Sequence, residues 1–108
     1  MENQVNQLEV TLPANQDAER MILGVILLDN GVAQQAIGEL APGDFYSPRN
    51  RLAFSAMRRL FHKGSGVDPL TMGAELRLMG KETECDPAFI ASLFDGVPRF
   101  SNIASYVQ

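Results

Sequence analysis

Apolar positions recur along this chain at helical spacing, most clearly between Ser47 and Gly64. Stepped at about 100° per residue, Leu52, Ala53, Phe54, Ala56, Met57, Leu60 and Phe61 share an arc roughly 200° wide. Arg51, Ser55, Arg58, Arg59 and His62 occupy the remainder. An arc that broad exceeds what a surface helix needs. The pattern therefore predicts a central helix enclosed by others, with one wet, basic stripe. Its ends are marked as well. Ser47 can accept a hydrogen bond from an orphan N–H of the first turn, and Pro48 takes the first helical position, where a missing N–H costs nothing. Lys63 and Gly64 supply a cation at the negative end of the dipole and a residue tolerant of positive φ.

The other segments follow the same logic. Residues 1–14 carry weakly alternating Val5, Leu8, Val10 and Leu12 and are expected to form a flexible tail, or else a short arm that docks on a partner. Asn15 to Leu28 predicts a helix with Asp17 and Glu19 in its first turn. From Met21 to Leu28 it has almost no polar face, so burial nearly all round is expected. Gly24 lies inside it at a cost of about 1 kcal/mol relative to alanine, which points to another helix crossing closely. A turn at Asp29-Asn30-Gly31 precedes a short helix from Val32 to Leu40. Phe45 or Tyr46 is placed to staple the start of the central helix. Asp68-Pro69 and Asp86-Pro87 repeat the cap-plus-proline start, predicting helices from Pro69 to Met79, stopped by Gly80, and from Pro87 to Phe94. Ser101 to Gln108 begins another helical pattern and carries no stop signal. No segment alternates at strand period for any length. The expected fold is all-α, a compact bundle of about six short helices.

With 108 residues and 45% hydrophobic composition, the chain supports one modest core. The net charge of −4 argues against a duplex-binding module, whose affinity comes from neutralising phosphates. One cysteine, Cys85, excludes an internal disulfide, and no apolar run reaches the length of a membrane span.

Candidate chemistry is sparse. His62 and Cys85, each the only one of its kind, cannot form a zinc site alone. His62 among arginines is a poor base for a nucleophile. Gly80-Lys81-Glu82 resembles the end of a phosphate-binding loop, but Glu75 stands where glycine is required and Glu82 where a hydroxyl must hold Mg²⁺. The acids Asp17, Glu19, Glu82, Glu84 and Asp86 sit at cap or loop positions. No catalytic, cofactor-binding or metal-ligating residue is identified. Arg51, Arg58 and Arg59 form a possible basic face, to be weighed against a solvated helix side paired with nearby acids. The residues describe a helical module that works by docking, not by bond-making.

Four stretches resemble, in order, the N-terminal domain of the bacterial replicative DNA helicase, the DnaB family. They are Pro13 to Asn30, with Asp17-Ala18-Glu19 and Ile22-Leu23-Gly24-Val25-Ile26-Leu27-Leu28-Asp29; Asp44-Phe45-Tyr46-Ser47-Pro48 with Arg51-Leu52-Ala53-Phe54; Val67-Asp68-Pro69-Leu70-Thr71 with Leu76; and Val97-Pro98 through Ser101-Asn102-Ile103 to Tyr106. Asp17 stands where the family more often has Glu, and Cys85-Asp86-Pro87-Ala88 replaces a Gly-Gly turn.

The resemblance implies a globular head over residues 15–99, with residues 100–108 starting a helical hairpin that the chain cuts short. It implies a non-catalytic collar that supports assembly of a hexameric ring with other helicase subunits and receives primase at the replication fork, in the cytoplasm. ATP and Mg²⁺ would belong to a separate ATPase domain, which would also make the main DNA contacts; no cofactor is expected here. Phe100, Ile103, Tyr106 and Val107 are the partner-contact candidates. Two alternatives stand: the helicase-interacting domain of primase, which has a similar helical fold, and a small helical single-stranded-DNA-binding module using Arg51, Arg58 and Arg59.

Overall fold

The computed structural model describes residues 16–97. The expected tail, the start of the hairpin and the candidates Phe100, Ile103, Tyr106 and Val107 lie outside the described residues. Within them the chain forms five α-helices and two 3-10 turns, with no strand among the described residues. Helix α1 spans Gln16–Leu28, α2 Asn30–Glu39, α3 Pro48–His62, α4 Pro69–Leu78 and α5 Pro87–Ser92. The 3-10 turns are Pro42–Asp44 and Leu93–Gly96.

Local chemistry fixes most boundaries. Ser47 Oγ accepts from Asn50 N at the start of α3, Asp68 from Thr71 N at α4, and Asp86 from Phe89 N at α5; each is followed by proline. Gly64 and Gly80, at φ of 75° and 73°, end α3 and α4 in a backbone region that other residues avoid. The helix predicted from Pro87 to Phe94 runs as α-helix only to Ser92 and then tightens into the 3-10 turn. Helix α2 starts earlier than the predicted Val32. Asp29 caps it by accepting from Gly31 N. Asn30, read from the sequence as a turn residue, holds the loop before α4: its amide donates to Val67 O and accepts from Val67 N, each at 3.1 Å.

Helix α3 is the axis of the core. Ala53, Phe54, Ala56 and Met57 are fully buried and Leu60 nearly so, and α1, α2, α4 and the Pro42–Asp44 turn all pack on it. Phe45 is the staple, buried with its ring centroid 4.9 Å from that of Phe54, whereas Tyr46 is 67% exposed. Leu23 and Ile26 of α1, Met72 and Leu76 of α4, and Leu93 complete the interior.

The close crossing predicted at Gly24 is made by the turn after α5, not by a helix: a Cβ at Gly24 would collide with the Leu93 carbonyl. Burial of α1 all round is not found. Met21 and Leu28 are each 40% exposed, because α2, α3 and the Leu93–Gly96 turn cover only part of its circumference.

Candidate functional site

Two buried acids fasten α3 to its neighbours. Glu19 of α1 has no exposed surface. Its carboxyl oxygens accept from Tyr46 N at 2.5 Å, Ser47 N at 3.3 Å and Asn50 Nδ2 at 2.8 Å. It thus serves orphan donors where the chain enters α3. Glu75 of α4 accepts from Arg59 Nε and Lys63 Nζ, both at 2.6 Å. Hydrogen bonds from Lys63 and then Arg59 hold the Glu75 carboxyl below the ordinary carboxylate range, against the opposing push of burial.

These contacts divide the basic stripe. Arg51 turns toward the start of its own helix and donates to Phe45 O at 3.2 and 3.0 Å and to Tyr46 O at 3.3 Å. Arg59 is engaged by Glu75. Arg58, Arg59 and His62 border a shallow groove of about 220 Å³ with Pro42 and Ser55; Arg51 is not part of it. Cys85 is buried, its Sγ 3.4 Å from Arg49 O. Burial pushes the thiol up to about 11, so it is protonated near neutrality and a weak nucleophile. The described residues contain no group of three or more His, Cys, Asp or Glu placed to hold a metal ion.

The surface feature that stands out is apolar. Leu70 is 82% exposed and Leu78 71%. With Ala74 between them they lie at i, i+4 and i+8, one stripe along the outer side of α4. Arg77 is exposed beside them. An apolar groove of about 140 Å³ between α4 and α5 adjoins the stripe, lined by Pro69, Gly73, Pro87, Ile90, Ala91 and Phe94. Large apolar side chains this exposed and this close together mark interaction surfaces in soluble domains. The chemistry of such a face is docking.

Hydrophobicity along Pro69 to Met79 does not by itself separate the outward Leu70 from the core positions. Periodicity splits the helix into two apolar sides, Met72, Leu76 and Met79 on one and Leu70 and Leu78 on the other, without saying which faces in. Glu19 was read as a first-turn acid, and its role in holding the start of α3 was missed. Glu75 was noticed only as a mismatch to a phosphate-binding loop. No helix among the described residues is long and apolar enough to cross a membrane.

Comparison with known proteins agrees with this architecture. The family model described as "DnaB-like helicase N terminal domain" matches residues 11–108. The replicative DNA helicase DnaB of Buchnera aphidicola subsp. Baizongia pistaciae is 35% identical over 109 residues, covering 100% of this chain and 23% of that protein. The Treponema pallidum DnaB is 32% identical over 110 residues, covering 100% of this chain and 25% of its own length. The chain thus spans about a quarter of the length of these relatives. The crystal structure of the N-terminal domain of DnaB helicase from Mycobacterium tuberculosis superposes with a TM-score of 0.75 at 29% identity, covering 87% of this chain and 66% of that one. What is matched is the N-terminal domain and not the catalytic helicase domain. On the extent of the family match and the shared all-helical fold, the chain belongs to the DnaB-like helicase N-terminal domain family.

Proposed function

We propose that this domain is a non-catalytic collar element of a replicative hexameric DNA helicase, supporting ring assembly and receiving primase at the replication fork, in the cytoplasm. The observation that carries the reading is the match of nearly the whole chain to the DnaB N-terminal domain. The exposed Leu70–Ala74–Leu78 stripe and the neighbouring α4–α5 groove support it, because recruitment needs surface and not a reactive site. ATP and Mg²⁺ would be held elsewhere in the parent protein, which would also make the principal contacts to DNA. The single-stranded-DNA reading is the weaker one. Of its three arginines, Arg51 and Arg59 already donate to groups of their own chain, and the net charge is −4.

The test is a calorimetric titration of this chain with the C-terminal domain of primase from the same organism. Saturable binding is expected, weakened about tenfold or more by the paired substitutions Leu70→Ser and Leu78→Ser if the α4 face makes the contact. Ile103→Ala with Tyr106→Ala examines the candidates outside the described residues. Absence of binding by the unmodified chain refutes primase recruitment by this domain.

A further inference from the structure

A third groove, of about 680 Å³, lies where the starts of α1, α3 and α5 converge, and two guanidinium groups line it. Arg20 is fixed from below: its Nη2 donates to Ser92 O at 3.1 Å and to Ser92 Oγ at 2.9 Å, while its buried Nε has no acceptor among the described residues. Arg49 is exposed and lies over the Phe89 ring, its guanidinium carbon 5.1 Å from the ring centroid. Neither makes an ion pair among the described residues. Asp86 also lines the groove, but its carboxyl already accepts from Phe89 N at 2.8 Å as the cap of α5. In a chain with a net charge of −4, two guanidiniums in one groove, without an ion pair among the described residues, are a local reversal of sign.

The geometry points to a recognition site for a side-chain carboxylate on an acidic, apolar-flanked segment of a protein partner. The exposed Arg49 guanidinium can meet a carboxylate as a bidentate fork, and Arg20, whose Nη2 is committed to Ser92 and whose Nε is buried, offers its Nη1 beside it; Arg20 is held before the ligand arrives, so little of its side-chain freedom is lost on binding. Phe89, Ala88 and Pro48 give the groove an apolar wall for the neighbouring side chain. A nucleic acid fits less well. It needs a run of cations along the backbone, and here two cations stand beside Asp86 on an acidic domain. This site enters neither the collar reading nor the α4 face, and it stands or falls without them.

The test is an NMR titration of the ¹⁵N-labelled chain with the peptide acetyl-DELFED-amide. The comparison ligands are the neutral peptide acetyl-NQLFQN-amide and a twelve-residue oligo-dT. Saturable shifts are expected at Ser47–Asn50, at Ser92 and at the arginine Nε resonances, and raised salt should reduce them. Arg49→Gln, on an exposed side chain, should weaken the peptide about tenfold or more. Arg77→Gln on α4 should leave the affinity unchanged. Arg20→Gln should match Arg49→Gln, with circular dichroism confirming the fold. The proposal is overturned by no shift up to millimolar peptide, by equal shifts with the neutral peptide, by an affinity insensitive to Arg49→Gln, or by tighter binding of oligo-dT. If Glu2→Gln with Glu9→Gln tightens the peptide about tenfold, residues 1–15 of the chain itself compete for the groove and the partner assignment fails.

Discussion

Replacing Gly24 by alanine sets helix propensity against packing, and the structure decides the sign. In the interior of α1 alanine is favoured over glycine by about 1 kcal/mol. The new Cβ, however, would strike the Leu93 carbonyl, a backbone atom of the 3-10 turn after α5. The Leu93 side chain is fully buried, so that turn cannot recede without dragging a core residue from its place. Overpacking of this kind costs about 1–3 kcal/mol, and the upper end applies because the obstacle is backbone. The net expectation is a loss of about 2 kcal/mol after the propensity gain is subtracted. For a domain of this size that lowers Tm by roughly 10 °C. Gly73 provides the contrast. It lies inside α4 with nothing within 4 Å of an added Cβ. Gly73→Ala should therefore raise stability by about 0.5–1 kcal/mol. Differential scanning calorimetry on both variants reads the two signs side by side. A Gly24→Ala protein melting at or above the parent temperature would refute the close approach of the Leu93 turn to α1.

Two further outcomes follow from the buried acids. Glu19→Ala strands the N–H groups of Tyr46 and Ser47 and the Asn50 amide. At about 1–3 kcal/mol for each buried donor left unmade, urea unfolding should show a loss of roughly 3 kcal/mol or more; a loss below about 1 kcal/mol would mean that water serves those donors equally well. Glu75 is held below its ordinary value near 4.5 in the fold, so its contribution is complete above that pH and disappears as the pH falls through the lower, folded value. The acid side of the stability profile should accordingly decline below pH 4.5, and Glu75→Gln should flatten that decline while lowering stability at neutral pH.

The parts of the fold that were legible in the sequence are those decided within a few residues. A cap at Ser47, Asp68 or Asp86 needs only its own side chain and a donor three residues on, so the three proline starts could be read directly. Gly64 and Gly80 mark their stops for the same reason. The arc of α3 was legible because neighbours cover that helix on several sides and periodicity alone then reports burial. Helix α4 is covered on one side, and its apolar residues lie on both. Which side faced inward depended on the position of α3, so Leu70 and Leu78 could not be told from core by hydrophobicity. The Arg20 groove was out of reach altogether: Arg20 meets Ser92 across 72 positions of sequence, and no local pattern encodes such a pairing.

The acids show where a sharper reading was available. Glu19 lies on the same helical stripe as Ile22, Leu23 and Ile26, and Glu75 on the stripe of Met72, Leu76 and Met79. An ionisable residue inside an apolar arc has to find donors or cations within the protein, since leaving it buried and unserved costs several kcal/mol, of the order of the whole stability of a small domain. Position on the arc, not position near a helix end, therefore identifies the acids that bear on the fold. Glu39, Glu82 and Glu84 lie outside such arcs and are exposed. Glu19 and Glu75 lie inside them, are buried, and hold α3 at its two ends, Glu19 through the backbone at its start and Glu75 through Arg59 and Lys63 near its finish.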